Sequence, residues 1–217
     1  MKKRYVLAEF LAVLFLLLIP PVFADKGVDF SDGFSFSVLA EFFIAAALQF
    51  QFKFENKCEK KSANEKFIFL IKSLKWSTLT IGFLMLILVA VHAVSFVFKI
   101  SYSEEVFFPN GNISAWIFLI FALAAGAFFE EVLYRQFVPE TLHFLLKKWK
   151  PLVEIFSVLI FAFAHRYLGW ISVCNAVLCG AVLRICRIKT DSIVPSAVSH
   201  FLYNLLLIIF CVCCKSL

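Results

Sequence analysis

Three short patterns in the C-terminal half of the chain carry the residues that can do chemistry. They are Glu130-Glu131-Val-Leu-Tyr-Arg135, Phe161-Ala-Phe-Ala-His165 and His200-Phe-Leu-Tyr-Asn204. Each lies inside an apolar run, where an ionisable side chain is costly and calls for an explanation. Adjacent carboxylates repel each other and lose hydration there. Glu131 and Arg135 are four apart, so on a helix they share a face and can pair. Glu130 points about 100° away around that helix. The division suggests one structural carboxylate and one chemical carboxylate. His200 and Asn204 are also four apart on one face. A Glu, two His and an Asn on three helices make an inward-facing polar centre.

Depth is consistent with such a centre. Glu130 precedes Pro139 by nine residues, His200 follows Asp191 by nine, and His165 follows Glu154 by eleven. At 1.5 Å per residue each lies about 13–17 Å from its polar marker. One tension remains. Residues 151–189 are short for two full crossings, so His165 lies either at the common level or near an outer turn at Tyr167–Gly169.

The elements that must hold these residues are transmembrane helices. The chain has 217 residues, 62% hydrophobic, 18% aromatic and only 17% charged, with 29 Phe. A soluble domain is about 45–50% apolar and about 25% charged, and disordered chains lack apolar residues. With only 7 Gly and 6 Pro the chain is neither fibrous nor low-complexity. Apolar blocks run near Tyr5–Phe23, Phe34–Phe50, Trp76–Ile100, Ser114–Val138, Leu152–Tyr167, Ile171–Ile185 and Ser192–Cys214. They are continuous and do not alternate, which excludes barrel strands. The expected fold is all-α, a polytopic bundle of about seven helices. Residues 1–113 form N-terminal helices with a basic loop, and 114–217 the candidate catalytic core.

The formal charge of +6 reads as topology, not as nucleic-acid affinity. With the N-terminus cytoplasmic, 16 of the 21 Lys and Arg fall inside and four, Lys26, Lys99, Arg166 and Lys215, outside; Arg135 lies within a helix. That is a positive-inside pattern. Acids mark the outer loops instead: Asp25, Asp29, Asp32, Glu104 and Glu105. The loop Gln51–Lys75 reads as a solvated cytoplasmic hairpin that can touch anionic lipid. Glu9, Glu41, His92, Glu140, His143 and Glu154 all have bland readings as interfacial or packing residues.

The cysteines make no disulfide framework. Cys174, Cys179, Cys186, Cys211, Cys213 and Cys214 lie in or beside apolar helices and read as small buried hydrophobes. The last four residues, Cys214-Lys215-Ser216-Leu217, match a prenylation box by form. The Lys at an aliphatic position and the outer location argue for coincidence.

The three motifs resemble those of the CAAX protease and bacteriocin-processing family, which includes type II CAAX prenyl endopeptidases. Its pattern is E-E-x-x-x-R, F-x-x-x-H and H-x-x-x-N or D on successive helices. The resemblance covers about Leu123–Leu205. It implies a glutamate-dependent intramembrane endopeptidase acting on a membrane-associated, prenylated or otherwise lipidated peptide. Under it Glu130 is the general base, and His165 helps to orient and deprotonate a water. His200 and Asn204 donate to the developing oxyanion. Glu131 and Arg135 form a supporting pair and Phe161 packs. No cofactor is needed in that account. The alternative is a zinc site on Glu130, His165 and His200, although the common H-E-x-x-H arrangement is absent. Two non-enzymatic readings stand beside these: an immunity or scaffold protein with a structural polar centre, and a transporter, which would commonly show repeated halves.

The implied partners are membrane lipid and a peptide substrate, and no nucleic acid. The implied place is the bacterial inner membrane. The first block also fits a signal peptide cleaved before Asp25, which would leave six helices; a retained helix is the preferred reading. N-terminal sequencing of the membrane-inserted protein should therefore start at Met1 or Lys2, and a start at Asp25 would overturn the retained helix.

Overall fold

The computed structural model describes residues 3–22, 28–29, 36–55, 62–99, 106–107 and 113–215. Several sequence-based assignments lie outside the described residues. They include the cleavage site before Asp25, the charges Lys26, Asp32, Lys57, Glu59, Lys60, Lys61, Glu104 and Glu105, and Ser216 and Leu217. The side chains of Cys211, Cys213 and Cys214 are outside too.

Every apolar block becomes a helix. The order is α1 Lys3–Val22, α2 Phe36–Glu55, α3 Ala63–Val97, α4 Ile113–Glu130, a π-helical turn Glu131–Phe137, α5 Val138–Leu146, α6 Lys150–Ala164, a 3-10 turn Arg166–Leu168, α7 Trp170–Thr190 and α8 Ile193–Lys215. A two-residue parallel bridge pairs Val28–Asp29 with Val106–Phe107. Helices are the form that satisfies its own backbone in lipid. Among the described residues four helices are long and apolar enough to cross a membrane: Asn64–Val97, Ile113–Leu146, Trp170–Thr190 and Ile193–Phe210. The chain is an integral membrane protein with an all-α bundle.

Two boundaries differ from the sequence reading. The loop Gln51–Lys75 is largely helical, because α2 runs on to Glu55 and α3 begins at Ala63. The cause is a capping box. Ser62 Oγ accepts from the Glu65 backbone N–H at 3.3 Å, and Glu65 Oε2 accepts from the Ser62 N–H at 2.7 Å. Polar composition hid this start, since lysines are good helix formers. The second difference is α6, which runs Lys150–Ala164 where the apolar block was Leu152–Tyr167. Its 15 residues rise about 22 Å, less than the roughly 30 Å of hydrocarbon.

The helices that carry the motifs are held by one another. α7 packs on α3, α6 and α8, and α4 packs on α2 and α8. Leu84 of α3 is fully buried against Cys179 and Leu183 of α7 and Tyr203 of α8. Cys186 is also buried, while Cys174 is exposed; the two buried thiols pack as small hydrophobes. The apolar faces of α3 that turn outward, with Phe67, Phe83, Leu86 and Phe96 exposed, are lipid-facing surfaces. The α7–α8 corner closes at Asp191, which adopts φ 53°. Its N–H bonds the Arg187 carbonyl, and its carboxylate meets the Arg187 side chain at 3.2 Å.

Gly180 of α7 lets α6 approach. A Cβ there would stand 2.9 Å from Phe161 Cδ1, and small residues at helix interfaces permit such close packing in membranes. Gly180→Ala should cost about 1–3 kcal/mol by overpacking, read as a lower melting temperature in detergent.

Candidate active site

The π-helical turn sets the geometry. α4 is apolar throughout until Glu130, and the helix then widens over Glu131–Phe137 before Pro139. Proline has no N–H and its ring crowds the carbonyl four residues earlier. The chain answers by lengthening its bonding reach, so that the Val138 N–H bonds the Leu133 carbonyl five residues back. Such turns often mark functional sites. Residues Glu131 to Gln136 on this turn are all buried.

Glu131 is 0% exposed and Arg135 is 2% exposed. Glu131 Oε1 receives Arg135 Nε at 3.3 Å and His200 Nδ1 at 3.1 Å. A carboxylate only accepts, so His200 donates from Nδ1. The other nitrogen of that ring, Nε2, lies 3.7 Å from Glu130 Oε2. Glu130 is 29% exposed, so the two neighbouring carboxylates occupy different environments. Glu131 is the buried, paired carboxylate and Glu130 the more exposed one.

Phe161 is the centre of a cluster of rings. The Arg135 guanidinium carbon lies 3.7 Å above its centroid, a cation–π contact. The rings of His165, Tyr134 and His200 lie 4.6, 5.3 and 6.3 Å from it. Both Nη atoms of Arg135 lack a hydrogen-bond partner among the described residues, as do Glu130 Oε2 and Glu131 Oε2. The ring face therefore supplies part of what hydrogen bonds would.

His165 caps the C-terminus of α6, immediately before the 3-10 turn. The two alternatives for its depth merge. The short α6 brings the turn itself to the level of the polar centre, since Phe161, one helical turn earlier, touches the His200 ring. His165 Nδ1 lies 2.9 Å from the Phe161 carbonyl oxygen. A carbonyl only accepts, so Nδ1 carries the proton and a neutral His165 presents its Nε2 lone pair.

Asn204 follows His200 by one turn of α8 and is half-buried. The structure thus gathers Glu130, Glu131, Arg135, Phe161, His165 and His200 by direct or shared contacts, and places Asn204 on the same helix face as His200. Among the described residues no group of three His, Cys, Asp or Glu side chains is arranged to hold a metal ion.

Four residues beside the site had only interfacial, packing or topology readings in the sequence. Glu41 of α2 reaches across to α4, with Oε2 3.9 Å from where a Gly126 side chain would begin. Gly126 lies one turn before Glu130 on the same face. Glu154 and Arg184, read as interface and topology charges, pair across α6 and α7 at 2.5 and 2.9 Å. His143 joins them, with Nε2 2.9 Å from Glu154 Oε1. The Pro139 that forces the π-helical turn was the available signal. Separately, a cleft of about 250 Å³ opens between α1, α2, the π-helical turn and α5, lined by Val6, Leu48, Val132 and Phe137 among others.

Residues 112–206 match the model of the Rce1-like type II CAAX prenyl endopeptidase family. All three motifs fall inside that segment, from Glu130 to Asn204. The resemblance carried by the motifs and the Rce1-like match point to the same family. Comparison with curated proteins and with solved structures finds no match.

Removing one member of a buried ion pair leaves the other charge stranded, which costs about 3–5 kcal/mol. Glu131→Ala or Arg135→Ala alone should lower the detergent melting temperature strongly. The double Glu131→Leu/Arg135→Leu variant should lose less than the sum of the two single changes.

Proposed function

We propose that the protein is an intramembrane endopeptidase of the CAAX-processing type, which hydrolyses a peptide bond with a water activated by Glu130. The observation that carries this reading is the approach of Glu130 to His200, beside the buried Glu131–Arg135 pair, within the segment that matches a peptidase family. The site is read as metal-independent.

Each residue has a chemical role in this reading. Glu130 takes the proton from the water as it attacks the scissile carbonyl. His165 accepts a hydrogen bond from that water at Nε2 and fixes its direction. General base catalysis of this kind contributes about 10²–10⁴-fold. His200, held by Glu131 at Nδ1, donates from Nε2 to the developing oxyanion when both of its nitrogens carry protons, and Asn204 adds a second donor. A proton on either His200 or Glu130 also makes their close approach attractive. Glu131 and Arg135 hold the imidazole, and Phe161 holds Arg135. The proton taken by Glu130 returns to the leaving amine.

The substrate class is a membrane-associated or lipidated peptide, with a prenylated Cys as the family precedent. The catalytic core is placed in residues 114–217. The 16-to-4 distribution of Lys and Arg supports an inner-membrane location with the N-terminus cytoplasmic.

Glu130→Gln keeps the shape and removes the base. In liposomes, cleavage of a prenylated-cysteine peptide should fall about 10²–10⁴-fold while the melting temperature holds. Full retained cleavage sinks the mechanism. Wild-type activity that vanishes with a chelator and returns with zinc overturns the metal-free reading. A cellular phenotype that survives Glu130→Gln, with no cleavage by either protein, favours a scaffold.

A further inference from the structure

Arg184 of α7 is 12% exposed and has no part in the reaction described above. Its Nε and one Nη take both oxygens of Glu154 on α6, at 2.5 and 2.9 Å. Its other Nη donates to the backbone carbonyl oxygen of Arg135 at 2.6 Å. That carbonyl is a particular one. In a regular α-helix it would accept from the N–H of residue 139, and residue 139 is Pro, which has none. A buried carbonyl without a donor is costly, the more so at membrane depth. Pro139 cannot donate to it, and Arg184 on a neighbouring helix does.

The carbonyl belongs to the residue whose side chain pairs with Glu131, five residues after Glu130. A shift of this backbone moves both carboxylates relative to His200. The guanidinium suits the task because it is a planar fork with donors pointing in several directions. Two prongs are fixed on Glu154 and the third is aimed at the carbonyl. An ammonium at that position is a point charge on a flexible stem and lacks the fork. Arg187, one turn further along α7, reaches Glu140 of α5 at 3.6 Å, so the same helix also grips the far side of Pro139.

We propose that Arg184 is a positioning residue of the catalytic centre: braced by Glu154, it caps the Arg135 carbonyl, to which Pro139 cannot donate, and so holds the π-helical turn in the register where Glu130 and Glu131 meet His200. This rests on the catalytic reading of Glu130, and the two fail separately in the following experiment.

Wild type, Glu130→Gln, Arg184→Lys and Glu154→Gln are purified in detergent, melted, and assayed in liposomes on one prenylated-cysteine peptide. Amide hydrogen exchange is followed over residues 131–140 in each. Arg184→Lys should lower kcat about 100-fold, the scale of a misplacement of roughly 1 Å, with KM unchanged. Its exchange over residues 131–140 should rise while α3 stays protected. Glu154→Gln keeps an acceptor for Arg184 and should show a smaller fall in kcat. Wild-type kcat and wild-type exchange in a folded Arg184→Lys protein overturn the proposal, and so does an effect confined to KM. If Arg184→Lys does not fold, Glu154→Gln decides, and wild-type kcat and exchange in it overturn the proposal. Full cleavage by Glu130→Gln overturns the catalytic reading alone, and the exchange data then judge Arg184 without it.

Discussion

An ionised side chain at the centre of a bilayer costs at least about 2.5–3.5 kcal/mol, and the rest of this site is arranged around Glu131 and Arg135 meeting that cost together. Neither is usable alone. Glu131 neutralises Arg135 and also fixes the tautomer-bearing face of His200. Arg135 spends its remaining guanidinium on the face of Phe161. One buried pair thereby orients a histidine on α8 and a phenylalanine on α6, and Phe161 in turn orders His165. Three segments are tied by a single electrostatic constraint, and Glu130, next in sequence, is left less buried beside it.

The constraint on the backbone is complementary. Pro139 removes a donor, the helix widens, and six successive residues of the turn are buried. In water a loosened helix would be repaired by solvent. Here repair must come from side chains of neighbouring helices, and α7 supplies them through Arg184 and Arg187. The irregular backbone is thus tied to its neighbour: the Arg135 carbonyl is bonded by Arg184, and the Glu140 side chain beyond Pro139 by Arg187.

The scaffold was legible in the sequence because lipid imposes one rule on long segments. Continuous apolar runs had to be helices, and each of the seven is one. The polar centre was legible because Glu131 and Arg135 are spaced for pairing and a charge in lipid needs a partner. Contacts between distant elements were not legible. No local spacing tells that Glu154 meets Arg184, 30 residues away, or that Glu41 lies against Gly126. Both glutamates have ordinary interfacial explanations until the helices are packed. The early start of α3 was missed for a different reason: the capping signal Ser62-x-x-Glu65 sat inside a charged stretch that resembled a loop.

The shortness of α6 has a consequence for the surrounding lipid. A helix of 15 residues beside α7 of 21 gives the protein two hydrophobic thicknesses on one flank. Phe163 and Trp170 stand exposed at the step, so acyl chains must bend to cover it, and mismatch of this kind costs fractions of a kcal/mol per Å. A bilayer that thins to match α6 does so over the turn that carries His165. Bilayer thickness, and so acyl-chain length, sets how near water comes to that imidazole.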